Sequence, residues 1–410
     1  MAEREPAAPV VDRRLLSHPG VIAFLSCRML STLGFQIQAV AIGWQAYSIT
    51  HRPLTLGLIG LAQFMPMLAL VFVSGHVADR FDRRRVAMIC QALEALCGVV
   101  LAIATFRHLM SPALIYTLVA LFGAAKAFEG PSLQALLPSL VPPALFPKAV
   151  ALNSSLFQTV TIIGPSAGGL LYMTGAGHAY LACSVMFVLA AIGMSLVRLE
   201  LPPRPRGPVT LASVFGGLAF IRSRPQLLGA ISLDLFAVLL GGATALLPVY
   251  ALDILHGSPF WLGVLRGSPA IGALLVSVVL ARRPIRRHAG VLMFAAVAVF
   301  GLATILFGVS RSLPLSILAM AVLGGADVVS VVVRSTLVQL GTPEEMRGRV
   351  SAVNLLFIVT SNQLGEFESG SLAALIGTTP AVVAGGLGTL LVAGLWMWRF
   401  PSLRRLDRLG

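Results

Sequence analysis

The sequence predicts an all-α polytopic membrane protein whose twelve transmembrane helices form two pseudo-symmetric six-helix bundles. Of its 410 residues, 57% are hydrophobic and 11% are charged, and the mean hydropathy is +0.89. A soluble domain of this size has too little polar surface to cover that much apolar area. Apolar runs of about 20 residues recur, which is the length that crosses the ~30 Å hydrocarbon core of a bilayer. The basic residues fall mostly in the short turns between these runs, as in multi-pass membrane proteins.

Glycine, proline and charged residues divide the apolar sequence into twelve spans. The first half, 19–197, holds spans 19–47, 54–77, 86–106, 112–137, 147–173 and 178–197, and the second half, 225–399, holds spans 225–251, 258–281, 289–308, 313–340, 348–375 and 379–399. Tails at 1–18 and 400–410 flank the two halves. The N-terminal tail is polar and lacks an early apolar stretch followed by a cleavage site, so no removable signal peptide is expected.

The segment 198–224 is predicted to be a cytoplasmic linker between the halves. Its residues 202–208 mix proline with arginine and glycine and must form an exposed loop. Residues 210–221 then favour a short amphipathic helix that lies on the membrane surface. The two bundles are therefore expected to be separate units joined along one side of the membrane.

The distribution of lysine and arginine predicts the orientation in the membrane. Only Arg52, Arg107 and Arg311 fall in the odd-numbered loops, and four basic residues lie inside spans, whereas the other 23 of the 30 lie in the tails and even-numbered loops. Because basic loops stay in the cytoplasm, both termini are expected there, with the chain integral to a bacterial inner membrane. The net charge of +14 thus reflects topology. A nucleic-acid partner would require a basic stripe on a soluble fold and is not expected.

No motif in the sequence indicates an enzyme. We find no nucleotide-binding glycine loop, no nucleophile elbow, no Walker-type loop and no histidine or cysteine cluster with metal spacing. The four cysteines lie inside apolar spans and are expected to be core residues, neither disulfides nor metal ligands. These are Cys27, Cys90, Cys97 and Cys183. No cofactor and no metal ion is therefore expected.

The two halves show the pattern of an internal repeat. At an offset of 201 residues, Asn153, Gly164 and Gly169 align with Asn354, Gly365 and Gly370, and at an offset of 206, Arg28 and Gly57 align with Asp234 and Gly263. A shared offset over several positions is less readily explained by chance than any single match. Two repeated six-span halves are typical of a transporter whose binding site lies at the repeat interface.

A charged cluster between spans 2 and 3 predicts a gate. Its pattern is Gly75-x-x-x-Asp79-Arg80-x-x-Arg83-Arg84-Arg85. Asp79 ends span 2, where a carboxylate can cap a neighbouring helix or pair with an arginine. The predicted gate residues are Gly75, Asp79, Arg80, Arg83 and Arg84. The alternative is that the loop only follows the positive-inside rule, and its three consecutive arginines also suit anchoring on anionic lipids.

This cluster resembles the loop 2–3 signature of the major facilitator superfamily, and the resemblance covers essentially the whole chain. Span 4 carries Phe122-x-x-x-Lys126-x-x-Glu129-Gly130, which is similar to the span-4 motif of the family's exporters, with lysine and glutamate replacing the usual arginine and glutamine. Span 5 carries Gly164-Pro165-x-x-Gly168-Gly169, which resembles the core of the antiporter motif without its leading glycines. The equivalent loop of the second half, 282–287, stays basic but lacks the aspartate.

Within the superfamily the chain looks most like the branch of enterobactin exporters and macrolide-efflux proteins. The stretches Ala-Leu-Leu-Pro-Ser-Leu-Val-Pro at 135–142 and Arg-Gly-Arg-Val-Ser-Ala-Val-Asn at 347–354 carry this resemblance. It implies a monomer that exports an amphipathic organic molecule, such as a siderophore or a drug, by alternating access, with a proton gradient as the energy source. The expected partners are this substrate, protons and the lipid bilayer. An importer or facilitator, and a non-transporting sensor or scaffold, are the alternatives.

Ionisable residues inside membrane spans are costly and usually face a cavity or a partner. The candidates for proton coupling or for the cavity are Arg28, Lys126, Glu129, Asp234, Asp327, Arg334 and Glu366. Matched depth and opposite charge predict a pair between the halves, either Lys126 with Asp327 or Arg28 with Asp234. Glu129 and Asp234 are the first candidates for the proton carrier, followed by Asp327. Static buried ion pairs and direct contact with the substrate are the other interpretations.

Two further predictions concern carboxylates and packing. Glu366 and Glu368 are two residues apart on span 11 and should point in nearly opposite directions, and Glu94 lies on an outer span and is interpreted as structural. Gly164 and Pro165 should bend span 5. Gly168 and Gly169 should let span 5 approach span 8 closely, although glycine and proline are also generally frequent in membrane helices.

Overall fold

The computed structural model describes residues 19–197, 211–285 and 287–407, without the side chains of residues 19, 71, 72, 76, 78, 79 and 211–214. Within these ranges the regular secondary structure is entirely helical. Most of the predicted N-terminal tail, the end of the C-terminal tail and the predicted linker loop at 202–208 lie outside the described residues. The all-α fold is confirmed, and twelve long helices follow the twelve predicted spans.

The helices begin and end close to the predicted limits. We number them α1 (Pro19–Thr50), α2 (Pro53–Arg80), α3 (Arg83–Phe106), α4 (Pro112–Leu136), α5 (Phe146–Met173), α6 (Ala176–Ser195), α7 (Pro225–Leu240), α8 (Pro259–Arg282), α9 (Ala289–Val309), α10 (Leu313–Leu340), α11 (Glu344–Ile376) and α12 (Thr378–Arg399). Ten of these segments in the described chain are long and apolar enough to cross a membrane. The two others, α5 and α11, carry more polar side chains, and each of them packs on a helix of the other half.

Helix starts follow simple local rules. Proline occupies an N-terminal position of several helices, including α2, α4 and α8, where its missing N–H costs nothing. The side chains of Asp82 and Ser111 cap α3 and α4 by accepting from Arg84 N and Leu114 N. Four inter-helix turns place a histidine in the left-handed region, which histidine tolerates better than most residues. These are His51, His108, His256 and His288.

The helices of each half pack in the same way. In the first half α1 packs on α5 and α6, α2 packs on α4, and α3 packs on α4 and α6. In the second half α7 packs on α11 and α12, α8 packs on α10, and α9 packs on α10 and α12. We call the end at which α1 begins and α12 ends the terminal face, and the other end the distal face.

Two helix pairs join the halves, and the repeat relates them to each other. The α2–α11 pair and the α5–α8 pair are the extensive contacts between halves. In the first pair a Cβ at Gly370 would lie 2.7 Å from Gly57 Cα, and in the second a Cβ at Gly263 would lie 2.8 Å from Ser166 Cα. A Cβ at Gly169 would also lie 2.8 Å from Phe260 Cα. The close approach of span 5 to span 8 is therefore present and depends on Gly169. Gly168 lies against α1 instead, where a Cβ would be 2.9 Å from Ile37 Cα.

The seventh span is broken, whereas the sequence predicts a continuous helix over 225–251. α7 ends at Leu240, and the chain continues through Gly241 and Gly242 into a 3₁₀ turn and then a wide π turn at Tyr250–Ile254. A Cβ at Gly242 would lie 2.7 Å from the Gly365 carbonyl carbon, so the break lets this backbone rest on α11. Discontinuous helices of this kind are common beside the binding sites of transporter folds.

A linker helix, Leu211–Ser223, precedes α7 near the position predicted for it. It packs on α11, where a Cβ at Gly217 would lie 2.7 Å from the Arg349 carbonyl oxygen. The four cysteines are free and buried, as predicted. α5 continues as a helix through Pro165, and its bend stays a prediction.

Candidate functional site

A cavity of about 190 Å³ lies between the two halves. Helices α1, α2 and α4 line it from the first half, and the segment after α7 together with α8 and α11 lines it from the second half. Its polar lining consists of Gln38, Gln63, Arg266, Gln363 and Glu366. Phe35 and Phe122 supply aromatic surface beside these groups. A cavity with aromatic walls and a few convergent polar groups is the usual form of a small-molecule site.

Glu366 connects the cavity to a contact between the halves. This residue of α11 lines the cavity, and its Oε2 would lie 2.7 Å from a Cβ placed at Gly60 on α2. Arg266 of α8 lines the same cavity and brings the opposite charge. Glu368, by contrast, accepts a hydrogen bond from Ser369 at 3.3 Å. The two glutamates therefore differ in surroundings, as their spacing predicts, and Glu366 alone of the two lines the cavity.

A second polar cluster is buried inside the first half, around Lys126. The Lys126 ammonium lies 2.5 Å from Glu129 Oε2 and 3.2 Å from Glu94 Oε1, and it donates to Ser31 Oγ at 3.3 Å. Ser31 donates to Glu129 at 2.7 Å, and Gln91 donates to Glu129 at 3.0 Å. Helices α1, α3 and α4 thus meet at one charged point. We call these five residues the Lys126 cluster.

The Lys126 cluster is adjacent to the central cavity. The ammonium lies 5.3 Å from the centroid of the Phe35 ring and 5.7 Å from that of Phe187. Both are cation–π distances, and Phe35 is itself a lining residue of the cavity. Glu94 and Glu129 are buried, whereas the Lys126 side chain retains 21% of its exposure. Lysine therefore lies between the two carboxyl groups and the cavity.

The second half has its own buried ion pair. Arg334 of α10 donates from Nη1 to Asp234 of α7, and both side chains are buried. Asp327 lies on α10 and lines a small cavity together with Asp234 and Ser330. A buried charge that keeps its partner is tolerated, but removing that partner is strongly destabilising. The pair therefore links α7 to α10 within one half.

The pairs predicted between the halves are wrong in this conformation. Lys126 pairs with Glu94 and Glu129, and Asp234 pairs with Arg334, so each charge finds its partner within its own half. The physical reason is that an opposite charge lies within bonding distance on a neighbouring helix of the same bundle. Arg28 lies over the Phe157 ring of α5, with 5.9 Å between the guanidinium carbon and the ring centroid.

The distal face is closed by contacts between the halves. Tyr47 of α1 donates a hydrogen bond to Asp253 in the π turn that follows α7. Around this bond, a single apolar cluster combines Trp44 and Leu56 of the first half with Leu247 and Leu265 of the second. The sequence analysis did not single out Tyr47 or Asp253. Their separation of 206 residues, equal to one of the repeat offsets, was the available signal.

The loop between α2 and α3 is held by its arginines. Arg83 is buried and donates to the Ala135 carbonyl at 3.2 Å, and Arg84 donates to the Val197 carbonyl at 3.0 Å. The expectation that Arg83 faces lipid head groups is wrong here, because its guanidinium points into the protein. The side chain of Asp79 lies outside the described residues, and a Cβ at Gly75 would meet nothing within 4 Å. The gate role of Gly75, Asp79, Arg80, Arg83 and Arg84 stays a prediction.

Asp82 is the carboxylate that the structure shows at this loop. It accepts from Arg84 N at 2.9 Å and from Arg84 Nη2 at 2.9 Å. The hydrogen bonds and charge of Arg84 hold the pKa of the Asp82 carboxyl below its ordinary value. In the second half the sequence lacks a matching aspartate, and the C-terminal tail supplies one. Asp407 Oδ1 accepts from His288 N at 3.0 Å, at the start of α9.

Comparisons with known proteins agree on the type of molecule. The profile of the transmembrane secretion effector family matches residues 17–409. The enterobactin exporter EntS of Shigella boydii serotype 18 is 28% identical over 396 residues, which are 95% of this chain and 94% of that protein. EntS of Escherichia coli O81 is 27% identical over the same coverage.

Solved structures share the fold at low sequence identity. A bacterial homologue of the human lysosomal transporter Spinster, in an inward-facing and occupied conformation, has a TM-score of 0.74 at 14% identity and covers 98% of this chain and 99% of its own. A bacterial homologue of the iron transporter ferroportin, in an inward-facing state, has a TM-score of 0.71 at 17% identity over 94% of this chain and 99% of its own.

Proposed function

Because this chain belongs to the transmembrane secretion effector family of the major facilitator superfamily, we propose that it is a proton-coupled exporter of an amphipathic small organic molecule. The observation that carries the proposal is the cavity between the halves, to which both halves contribute polar and aromatic side chains. The two halves meet around this cavity through two repeat-related helix pairs. Such an arrangement suits alternating access, in which the halves rock around a fixed site.

The direction of transport is inferred from the related proteins, and the orientation in the membrane is inferred from the charge distribution. The related EntS proteins are named as exporters of enterobactin, a siderophore, which supports export of an organic molecule rather than uptake. The excess of lysine and arginine in the tails and even-numbered loops supports a cytoplasmic terminal face. On that assignment the closed distal face is extracytoplasmic, and the cavity in this conformation receives substrate from the cytoplasm. A bacterial inner membrane and cytoplasmic termini complete the proposed setting.

The chemistry of the cavity favours a substrate with an apolar body and several polar groups. Phe35 and Phe122 offer ring faces, and the three glutamines offer both donors and acceptors. Arg266 is the group suited to an acidic or phenolate oxygen, because guanidinium binds oxyanions through several donors. Siderophores and many drugs combine these features, so the lining and the relatives both support the proposed substrate class.

Proton coupling is assigned to the carboxylates that lie in or beside the cavity. Glu366 lines it directly, and the Lys126 cluster lies behind Phe35. A carboxylate that binds a proton on one side of the membrane and releases it on the other would couple the gradient to the movement of the halves. Asp234 keeps its partner Arg334 within the second half, which suits a structural role in this conformation.

The test compares accumulation of a substrate panel in cells that do and do not produce the protein, each with and without a protonophore. The panel includes catecholate siderophores, macrolides and simple amphipathic cations. We expect lower accumulation of one class in producing cells, and we expect the protonophore to remove the difference. Higher accumulation in producing cells would indicate an importer, and a difference that survives the protonophore would contradict proton coupling.

A further inference from the structure

The Lys126 cluster contains two carboxyl groups around one ammonium, and these two carboxyl groups differ in the number of hydrogen bonds they accept. Glu129 receives three donors, from Lys126, Ser31 and Gln91. Glu94 is fully buried on α3, and both of its oxygens lack a partner with hydrogen-bond geometry. Among the described residues, its ion pair is the 3.2 Å approach to Lys126, and the Glu129 carboxylate is a second charged neighbour. The cluster thus stabilises an ionised Glu129 and leaves Glu94 poorly solvated.

A buried carboxylate without hydrogen-bond donors is far more costly than a neutral carboxyl group. The Lys126 ammonium hydrogen-bonds to Glu129 and Ser31 and only approaches Glu94 at 3.2 Å, so the lysine does not neutralise both glutamates equally. A proton on Glu94 removes this cost and gives its carboxyl group a donor for the neighbouring Glu129 carboxylate, with which it interacts. Two carboxyl groups in one site commonly share a single proton for this reason.

The other titratable groups near Glu94 are neutral thiols or more distant charges. Cys90 and Cys97 flank it on α3 and interact with it electrostatically. Arg28 of α1 interacts with Glu129 at longer range, while its guanidinium lies over Phe157. From α6, Phe187 contributes an aromatic face over Lys126. These surroundings add no hydrogen bond to Glu94, so the difference in hydrogen bonding between Glu94 and Glu129 remains.

We propose that Glu94 is a proton-binding group of this protein, protonated in the present conformation and ionised when the Lys126 ammonium, which already lies 3.2 Å from it, leaves Glu129 and hydrogen-bonds to Glu94. The step conserves charge and atoms: the Glu94 O–H bond breaks, the proton passes to water in the cavity, and the Lys126 ammonium pairs with the new carboxylate instead of Glu129. Lys126 lies between Glu94 and Phe35 of the cavity wall. A substrate that enters beside Phe35 would therefore displace the Lys126 ammonium, whose position determines whether Glu94 keeps its proton.

This inference rests on the proposed proton-coupled function, but its first test does not need a substrate. Infrared spectra of the purified full-length protein, recorded in H₂O and D₂O at neutral pH, detect the C=O stretch of a protonated carboxyl group in a membrane interior. We expect a band component that Glu94→Gln removes and that Glu368→Gln retains. Glu129→Gln should weaken it, because Lys126 can then pair with Glu94 alone. Glu94→Asp keeps a carboxyl group and should retain a shifted band, which guards against misfolding of the glutamine variant. A band that persists in Glu94→Gln, or is absent from the wild type, would overturn the proposal.

The second test separates proton release from proton binding. In proteoliposomes, a substrate identified by the accumulation panel should exchange across the membrane in Glu94→Gln as it does in the wild type, whereas transport driven by a pH gradient should fall at least tenfold. Glu368→Gln is the matched control and should retain both activities. If the wild type shows the band but transports substrate without moving protons, the release step is wrong and the proposed function fails with it, while proton binding by Glu94 stands. Equal loss of exchange and driven transport would instead indicate a structural role for Glu94.

Discussion

Tyr47 and Asp253 lie 206 residues apart, and they hydrogen-bond to each other across the two halves. The same offset relates Gly57 to Gly263 in the sequence, so the bonded residues occupy equivalent positions of the repeat. A contact between equivalent positions lies on or near the pseudo-twofold axis. This bond is therefore a central latch of the distal face, between the two flanking helix pairs.

Removal of the latch should favour opening of the distal face. Tyr47→Phe deletes the hydroxyl and keeps the ring, and a hydrogen bond of this type is worth about 0.5–1.5 kcal/mol. We expect the population with an open distal face to rise by up to about tenfold. Spin labels at Arg107→Cys and Arg311→Cys, which are exposed residues of the distal loops, would report the longer distance.

The matched control is Tyr250→Phe. Tyr250 donates to the Gly308 carbonyl at 2.8 Å inside the second half, so its loss should lower stability and leave the distance distribution unchanged. An identical distribution in Tyr47→Phe and the wild type would show that the apolar cluster alone keeps the face closed.

Packing of α2 on α11 should tolerate no side chain at Gly370. A Cβ there would lie 2.7 Å from Gly57 Cα, a backbone atom that cannot turn away. Overpacking of this kind costs about 1–3 kcal/mol. We expect Gly370→Ala to shift the same spin-label distances towards the open state and to slow transport. Gly394→Ala on α12, where a Cβ meets nothing within 4 Å, should leave both unchanged.

The Asp234–Arg334 pair should behave as a structural unit. Arg334→Met leaves a buried carboxylate without its partner, which typically costs about 3–5 kcal/mol. We expect a large fall in the thermal unfolding temperature of the detergent-solubilised protein. The double variant Asp234→Asn with Arg334→Met should recover most of it, because no unpaired charge remains. Recovery of stability without recovery of gradient-driven transport would assign Asp234 a coupling role as well.

Glu366 and Glu368 should differ in transport although they are neighbours on α11. Glu366 lines the cavity and lies against Gly60, whereas Glu368 bonds to Ser369. We expect Glu366→Gln to reduce gradient-driven transport at least tenfold and Glu368→Gln to change it less than twofold, both measured in proteoliposomes at equal protein content. Equal effects of the two variants would exclude a special role for the cavity carboxylate.

The loop at Asp82 should contribute a pH-dependent increment of stability. Arg84 lowers the pKa of Asp82 below its ordinary value of 3.8, so the stabilisation is present above that value and is lost as the pH falls through the lower, folded-state pKa. Asp82→Asn keeps a helix cap but loses the ion pair. We expect the wild type to be more stable than this variant near neutral pH by no more than about 1 kcal/mol.

The measurement is thermal unfolding of the two proteins in detergent from about pH 7 to about pH 3. The difference between them should shrink towards the acid end, because Asp82 is progressively protonated there. A difference that stays constant over the whole range would mean that the carboxylate charge of Asp82 contributes nothing.

The sequence was sufficient for the positions of the helices because membrane-length apolar runs and their charged ends are local properties. It also placed the contact of span 5 with span 8, since Gly169 removes the side chain that would separate them. It was not sufficient for the charge partners. Glu94 is interpreted as structural from the sequence because it lies on an outer span. Its contact with Lys126 depends on helix rotation, which is decided by packing rather than by spacing along the chain.

The break after α7 was missed for a similar reason. The sequence pattern does not distinguish Gly241 and Gly242 from other glycines of membrane helices, and the helix ends where Gly242 lies against Gly365 on α11 and Gly241 lies against Phe300. Glu94 falls under the rule that ionisable residues inside apolar spans usually face a cavity or a partner, and the structure shows that its partner is Lys126.

The two glycine contacts, Gly57 with Gly370 and Gly263 with Ser166, lie on opposite flanks of the molecule. Because the two halves are in contact along both flanks, they cannot separate by rotating about only one of these contacts. Both contacts must slide or part in the same motion, so the free energies needed to break them add in the barrier to the conformational change. A substitution on one flank should therefore slow the whole cycle as much as the equivalent substitution on the other, and the repeat makes the two flanks interchangeable tests of one movement.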